Sequence, residues 1–437
     1  MAMATSIATL RRSRFAAATT GIVALALAVT GCSGASSEAP KTSLTFWHYW
    51  TDRADVLQAL ATEYQEETGV EVKFELVPGD AMGQKFQAAA QADKLPDLAA
   101  SWEPAGEVLS VYANEGQLQN LSALDGAEDW FARFEPATVQ GVSYAADNPW
   151  NVDPGAYLVP FDTNNMQFLY NKDLFEEAGI KEPPTTLDEF VDAAEKLRAI
   201  DVQPFISGFS SWPLESMASM YIDNVISPET REAAYSGEGR YDTKEWTEFL
   251  GIFETLAGAG VFADGIVGYD MPAAETLFVS GQAGMIFDGS WALGVFNQTN
   301  PDFTNYGVFL PPSLGDEELR IPGGVGSTAF VVASSPHVDE AAAFLEWLTD
   351  APQQKKYAES SFNIPANREV ATELALDENI AAFAAGADRL IAPTTVVMQA
   401  PVITTMAKGL QLIIAGTDTP AAVAARMQMA LESGQPQ

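Results

Sequence analysis

SLTFWHYWTDRADVLQALATEYQEETGVEVKFEL, residues 43–76, contains one whole supersecondary unit. Ser43–Trp47 is an apolar run of strand length. From Asp52 to Thr68, residues Val56, Leu57, Leu60 and Tyr64 recur at helical spacing, and Gly69 supplies the stop. Val70–Leu76 then alternates strictly, as a strand with one covered face does. Strand, helix and strand in succession make a βαβ unit, and the crossover leaves its two strands parallel.

Outward from this unit the pattern continues, with a helix expected over 81–92 and a short strand over 97–100. The chain therefore reads as α/β from its first folded residues. A second strong element runs from Phe168 to Ile180 and leads into PPTTLDEF, residues 183–190. Thr186 with Glu189 three positions later is a capping box, and Leu187, Phe190, Val191, Ala194 and Leu197 line one helical face behind it. Residues 215–262 read mostly helical around a polar turn at 236–239. Strands are expected at 283–287 and 328–332, a helix at 338–348, and the alanine-rich C-terminal third is helical.

The 437 residues carry 59 acidic against 23 basic side chains, a formal charge of −36. Such a surface repels phosphate backbones and argues against nucleic acid as a partner. Arg11, Arg12 and Arg14 precede an apolar stretch, Phe15 to Thr30, that is too short for a spanning helix and reads as an export signal. The sequence Val29-Thr30-Gly31-Cys32 then resembles a lipobox, with Cys32 as the lipidation site. Residues 1–31 are expected to form the signal peptide and 32–42 a flexible tether. Cys32 is the single cysteine, so an internal disulfide and Cys-ligated metal are excluded.

Catalytic motifs are sparse. His48 and His337 are the two histidines and form no His-x-x-x-His pair. Gly208-Phe209-Ser210-Ser211-Trp212 fails the G-x-S-x-G pattern at its last position. Gly323-Gly324-Val325-Gly326-Ser327 lacks the lysine of a phosphate-binding loop and reads as glycine where backbone passes close to a neighbour. A glycosidase carboxylate pair stays open, since 59 acids offer many combinations.

Tryptophan placement says more. Of nine, Trp246 and Trp347 sit in amphipathic helical patterns and read as core. Trp50, Trp102, Trp212 and Trp291 each follow a strand-like segment and lie beside polar or turn residues. Ligands gather at the carboxyl ends of strands in open α/β sheets, where a ring can stack on the C–H face of a sugar. Within the opening stretch, Phe46 and Trp47 read as core and His48, Tyr49 and Trp50 as a loop that offers rings and polar groups.

Several segments together resemble the bacterial extracellular solute-binding proteins of carbohydrate ABC importers. They are SLTFW at 43–47, Leu98–Trp102, Val159-Pro160-Phe161 with YNKDLFEEAG and PPTTLDEF, VSGQAGMIFDGSW at 279–291, and the 341–349 helix. The resemblance implies a two-lobed periplasmic-binding-protein-like (type II) fold with a hinge and interlobe cleft. Lobe 1 is expected over 43–155 and 292–335, lobe 2 over 156–291 and 336–437. It implies a sugar-binding, non-enzymatic monomer without cofactor or metal, tethered by lipid to the outer face of the bacterial cell membrane. Its partners would be a carbohydrate and the ABC permease. Ligand contacts are expected from His48, Tyr49, Trp50, Asp52, Trp102, Glu103, Asn164, Trp212, Asp288, Trp291, Gly323 and Gly324. Glu103-Pro104-Ala105 replaces the acid–base pair that follows the first cleft tryptophan in the family, and no aromatic stands near Ile403. These departures favour a mono- or disaccharide or small glycoside over maltodextrin. The rival readings are a lipid-anchored glycoside hydrolase and a binder of another solute such as a polyamine.

Overall fold

A computed structural model describes residues 42–101, 103–314, 319–373, 378–391 and 397–435. The signal peptide, Cys32, nearly all of the tether and Trp102 lie outside the described residues. The opening unit forms as its pattern predicts. Thr42–His48 pairs in parallel with Val70–Leu76 along its whole length, Thr42 opposite Val70 and His48 opposite Leu76. Helix Ala54–Thr68 joins them and buries Leu57, Leu60, Ala61 and Tyr64. It stops at Gly69, whose φ of 78° places its N–H on the Gln65 carbonyl, a left-handed cap that glycine adopts without strain.

Two sheets organise the chain. The first runs Val70–Leu76, Thr42–His48, Leu98–Ala100, Thr328–Val331, Val159–Pro160, the last two antiparallel to their neighbours. The second runs Tyr306–Phe309, Asp162–Asn171, Ala283–Gly289, Gln203–Ile206. Gly323–Val325 and Ile364–Pro365 also pair with Asp162–Asn171. Each sheet has its own hydrophobic core. Around Phe168, the rings of Phe190, Phe205, Phe287 and Phe309 all lie with centroids 5.3–5.5 Å away, so one strand position joins helix and sheet. The helix supplying Phe190 is Leu187–Arg198, where the Thr186 hydroxyl accepts from the Glu189 N–H. The Glu189 carboxylate turns back to the N–H and hydroxyl of Thr185, one residue before the expected partner.

The lobe boundaries drawn from sequence need correction. Leu293, Phe296, Phe309 and Ile321 pack in the second core, not the first, because the strand Tyr306–Phe309 pairs with Asp162–Asn171 and Phe296 packs on Phe278 at 5.3 Å. Phe344, Leu345 and Tyr357 belong to the first core, where Tyr64 meets Phe344 and Trp347 at 5.0 and 5.1 Å. Periodicity shows that these segments are amphipathic but not which sheet covers them. Trp347 is itself only half buried, and its indole N–H donates to Glu67 Oε2 at 3.0 Å. Trp246 is fully buried. Two passages between the sheets are short: Phe161 separates Val159–Pro160 from Asp162–Asn171, and Gly326-Ser327 separates Gly323–Val325 from Thr328–Val331.

Candidate functional site

In the first lobe the parallel strands end side by side at His48, Leu76 and Ala100, so the loops after them cluster. Tyr49 lies at this edge, half buried, with its hydroxyl donating to the Ser101 carbonyl at 2.8 Å. That bond ties the 49–53 loop to the loop carrying Glu103. Burial raises the pKa of both the Tyr49 phenol and the Glu103 carboxyl. His48 and Trp50 are not the open platform expected from sequence. Trp50 is 4% exposed and packs edge-on against Phe161 at 5.4 Å and Phe46 at 6.1 Å. His48 is 3% exposed, set edge-on to Phe74 at 5.4 Å, and burial lowers its pKa. His48 is the last residue of the strand and is buried there, and Trp50, two residues beyond the strand end, packs back onto the first core. Trp47 is buried in the first core, as expected, with the Lys85 ammonium over its ring at 3.9 Å.

In the second lobe, Gln203–Ile206 and Ala283–Gly289 are parallel neighbours, and the chains leaving their carboxyl ends carry Trp212 and Trp291. The two rings meet at 5.8 Å with 56° between their planes. Trp212 is 46% exposed and Trp291 half buried. Trp291 folds back over Gly289, where a Cβ would run into the indole. Asp288 is fully buried rather than set on an open surface, with Oδ1 accepting from the Gly289 N–H at 2.7 Å and Oδ2 without a partner. Burial first, then neighbouring Glu275, pushes its pKa well up. Glu275, on helix Met271–Val279, is pushed up to about 8 by burial, with Asp52 and Asp270 adding to the shift. Both carboxyls are thus held towards the protonated form, burial being the first cause in each case.

Trp291 opens helix Ala292–Thr299, whose Gln298 Nε2 donates to the Asp52 carbonyl of the first lobe at 2.5 Å. Gly294 of the same helix lies against Ser361 and Asp52. The tryptophan pair and the Asp52 loop therefore border one region between the lobes. Asn164 is half buried beside it, opposite Gly324 in the strand pairing. Gly323 and Gly324 serve that pairing: a Cβ on Gly323 would strike Asn164 O and Asn165, and Gly324 has φ 137°. A recess of about 700 Å³ bordered by Arg198, Phe262 and Asp264 shares no residue with this region.

The profile of the bacterial extracellular solute-binding proteins matches residues 50–355. The chain belongs to this family. It is 27% identical over 396 residues to the diacetylchitobiose binding protein DasA of Streptomyces coelicolor, covering 84% of each chain. With the multiple sugar-binding protein of Streptococcus mutans it shares 25% identity over 346 residues, 77% of this chain and 78% of that one. Among solved structures, maltose-bound T. maritima MalE3 superposes with a TM-score of 0.74 at 18% identity, covering 90% of this chain and 99% of that chain. The fold is the two-lobed type II periplasmic-binding fold.

In this solute-binding protein the interlobe region also holds residues that the sequence did not single out. Arg53 is 5% exposed and forms ion pairs with Asp52 at 2.7 Å and Asp162 at 2.5 Å. Burial works against its charge, but Tyr357, Asp162 and Asp52 outweigh that and hold the guanidinium protonated. Glu275 was equally hidden, inside an apolar helix. A single buried cation beside Asp52 leaves no periodic signal, whereas Trp291 ends a segment, 279–291, that carries the family resemblance. Among the described residues no group of three or more His, Cys, Asp or Glu side chains could hold a metal, and no helix is long and apolar enough to cross a membrane.

Proposed function

We propose that this chain is the extracytoplasmic sugar-binding component of an ABC importer. A mono- or disaccharide, or a small glycoside, occupies the interlobe region, and hinge closure presents the loaded form to the permease. The observation that carries the reading is the Trp212–Trp291 pair. It offers half-exposed aromatic surface at strand carboxyl ends, next to the helix that touches Asp52. Ring faces take the C–H surface of a sugar, while Asp52, Asn164, Glu103 and Tyr49 supply polar groups for its hydroxyls. Trp102 completes the set in our reading. The ligands named for the relatives, a diacetylated disaccharide, several sugars and maltose, fit this class. Cys32 carries the lipid that tethers the mature monomer outside the membrane, and the protein performs no chemistry on its ligand.

Titration of intrinsic tryptophan fluorescence with mono- and disaccharides, small glycosides, and putrescine and spermidine tests the reading. Saturable quenching or a shift with one sugar is expected. Saturation by a polyamine with no response to any sugar would overturn it, and turnover of a chromogenic glycoside would overturn the non-enzymatic part.

A further inference from the structure

Arg53 stands where the two short passages between the lobes come together. Its Nη1 donates to Asp162 Oδ2, the first residue after the Phe161 passage, and to Ser327 Oγ at 2.6 Å, inside the second passage. The same nitrogen donates to Tyr357 Oη at 2.7 Å, and Tyr357 Oη in turn donates to Asp162 Oδ2 at 2.6 Å. The Ser327 N–H closes the ring by donating to Asp162 Oδ1 at 2.7 Å. On its other edge the guanidinium grips Asp52, Nε to Oδ1 at 3.0 Å and Nη2 to Oδ2 at 2.7 Å. Asn363 accepts from Nη2 at 3.4 Å and donates to Asp52 Oδ2 at 3.3 Å. One planar cation thus spans both passages and the loop that meets the second lobe through Gln298.

We infer that Arg53 is a positioning residue that couples contact at Asp52 to the angle between the lobes. Any rotation about Phe161 and Gly326-Ser327 moves Asp162 and Ser327 relative to each other and strains bonds that converge on one rigid fork. The fork also sets the Asp52 carboxylate, so a ligand that engages Asp52 acts on the passages through a fixed group rather than a mobile side chain. Lysine cannot substitute, because a point ammonium on a flexible stem reaches at most some of these acceptors and fixes no plane. The affinity part of this inference rests on the sugar-binding reading above; the geometric part does not.

The test uses Arg53→Lys and Ser327→Ala in the full chain carrying Cys32→Ser. Nitroxide labels at Lys94→Cys and Lys181→Cys, exposed positions of the first and second lobes, report the interlobe distance by double electron–electron resonance without ligand. Circular dichroism first checks that each variant is folded. Arg53→Lys is expected to broaden the distance distribution roughly two-fold and to weaken binding of the sugar that titrates the parent roughly ten-fold. Ser327→Ala, which removes one acceptor and no charge, should move both readouts the same way by less. If Arg53→Lys does not fold, Ser327→Ala alone decides. Distances that superimpose on the parent's in the folded variants overturn the inference, whether or not affinity falls, since Arg53 would then act on Asp52 alone. If the parent binds no sugar, the ligand-free distances still decide whether Arg53 sets the lobe angle, and only the functional reading has failed.

Discussion

Replacing Glu275 by glutamine should remove much of the protein's loss of stability between pH 4.5 and about 8. Glu275 is 7% exposed and faces fully buried Asp288, with Asp52 and Asp270 adding negative potential. Its carboxyl titrates at about 8 in the fold against an ordinary value of 4.5. The folded state therefore keeps a proton that the unfolded chain has released over that window. Stability from this group is complete below pH 4.5 and falls as pH rises towards 8. The slope is about 1.4 kcal/mol per pH unit where only the folded form is protonated, a few kcal/mol in all. Glutamine has the shape of the protonated acid and cannot ionise. Urea denaturation followed by circular dichroism from pH 5 to 9 should show Glu275→Gln flatter than the parent and more stable above pH 8. Asp288 retains its own burial-driven shift, so the slope should diminish rather than vanish. Parallel profiles for the two proteins would refute the assignment of a buried, protonated Glu275.

Two further substitutions separate the aromatic surface from the cores. Trp212→Ala, at a ring 46% exposed, should weaken sugar binding about ten-fold or more in the fluorescence titration while leaving the denaturation midpoint nearly unchanged, since stacking on one ring carries about 1–3 kcal/mol. Trp50→Ala, at a ring 4% exposed, should instead cost about 3–5 kcal/mol of stability by urea denaturation. In the second core, Gly284→Ala places a methyl 2.5 Å from Leu197 Cδ1; about 1–3 kcal/mol of destabilisation is expected by the same measurement.

The opening unit was legible because every signal in it agreed. Apolar runs, helical spacing and a glycine stop all implied the βαβ unit that forms. The pairing of Trp212 with Trp291 was legible in part, since each follows a strand and parallel neighbouring strands bring their exits together. What periodicity cannot carry is the partner of an amphipathic face. Helix Val338–Leu348 and helix Ala292–Thr299 both show such a face, and each packs in the lobe opposite to the one drawn from sequence. The same holds one residue at a time over 48–50, where the strand ends at His48. Tyr49 bonds Ser101 at the strand edge, while His48 and Trp50 turn into the core. Local sequence did not distinguish them, because the ring that covers Trp50, Phe161, lies more than a hundred residues further along, and His48 ends the strand against Phe74.

The chain's charge of −36 makes a cationic ligand attractive at first sight, but the charge does not extend unopposed into the interlobe region. Asp52 and Asp162 both face the Arg53 guanidinium, and Asp162 also accepts from Tyr357 and the Ser327 N–H. Burial first, then neighbouring carboxylates (Asp52 and Asp270 for Glu275, Glu275 for Asp288), raises the pKa of Glu275 and Asp288 and disfavours their charged forms. Burial likewise raises Glu103. A polyamine would need free carboxylates at several points along its length, whereas Asp52 and Asp162 are paired with Arg53 and burial disfavours the charged forms of Glu275 and Asp288. What the region presents is half-exposed indole surface beside hydrogen-bonding groups of fixed direction, which suits an uncharged ligand with alternating apolar and hydroxyl faces. The acidic excess then belongs to the outer surface, where it keeps copies of the protein apart, and recognition is left to geometry.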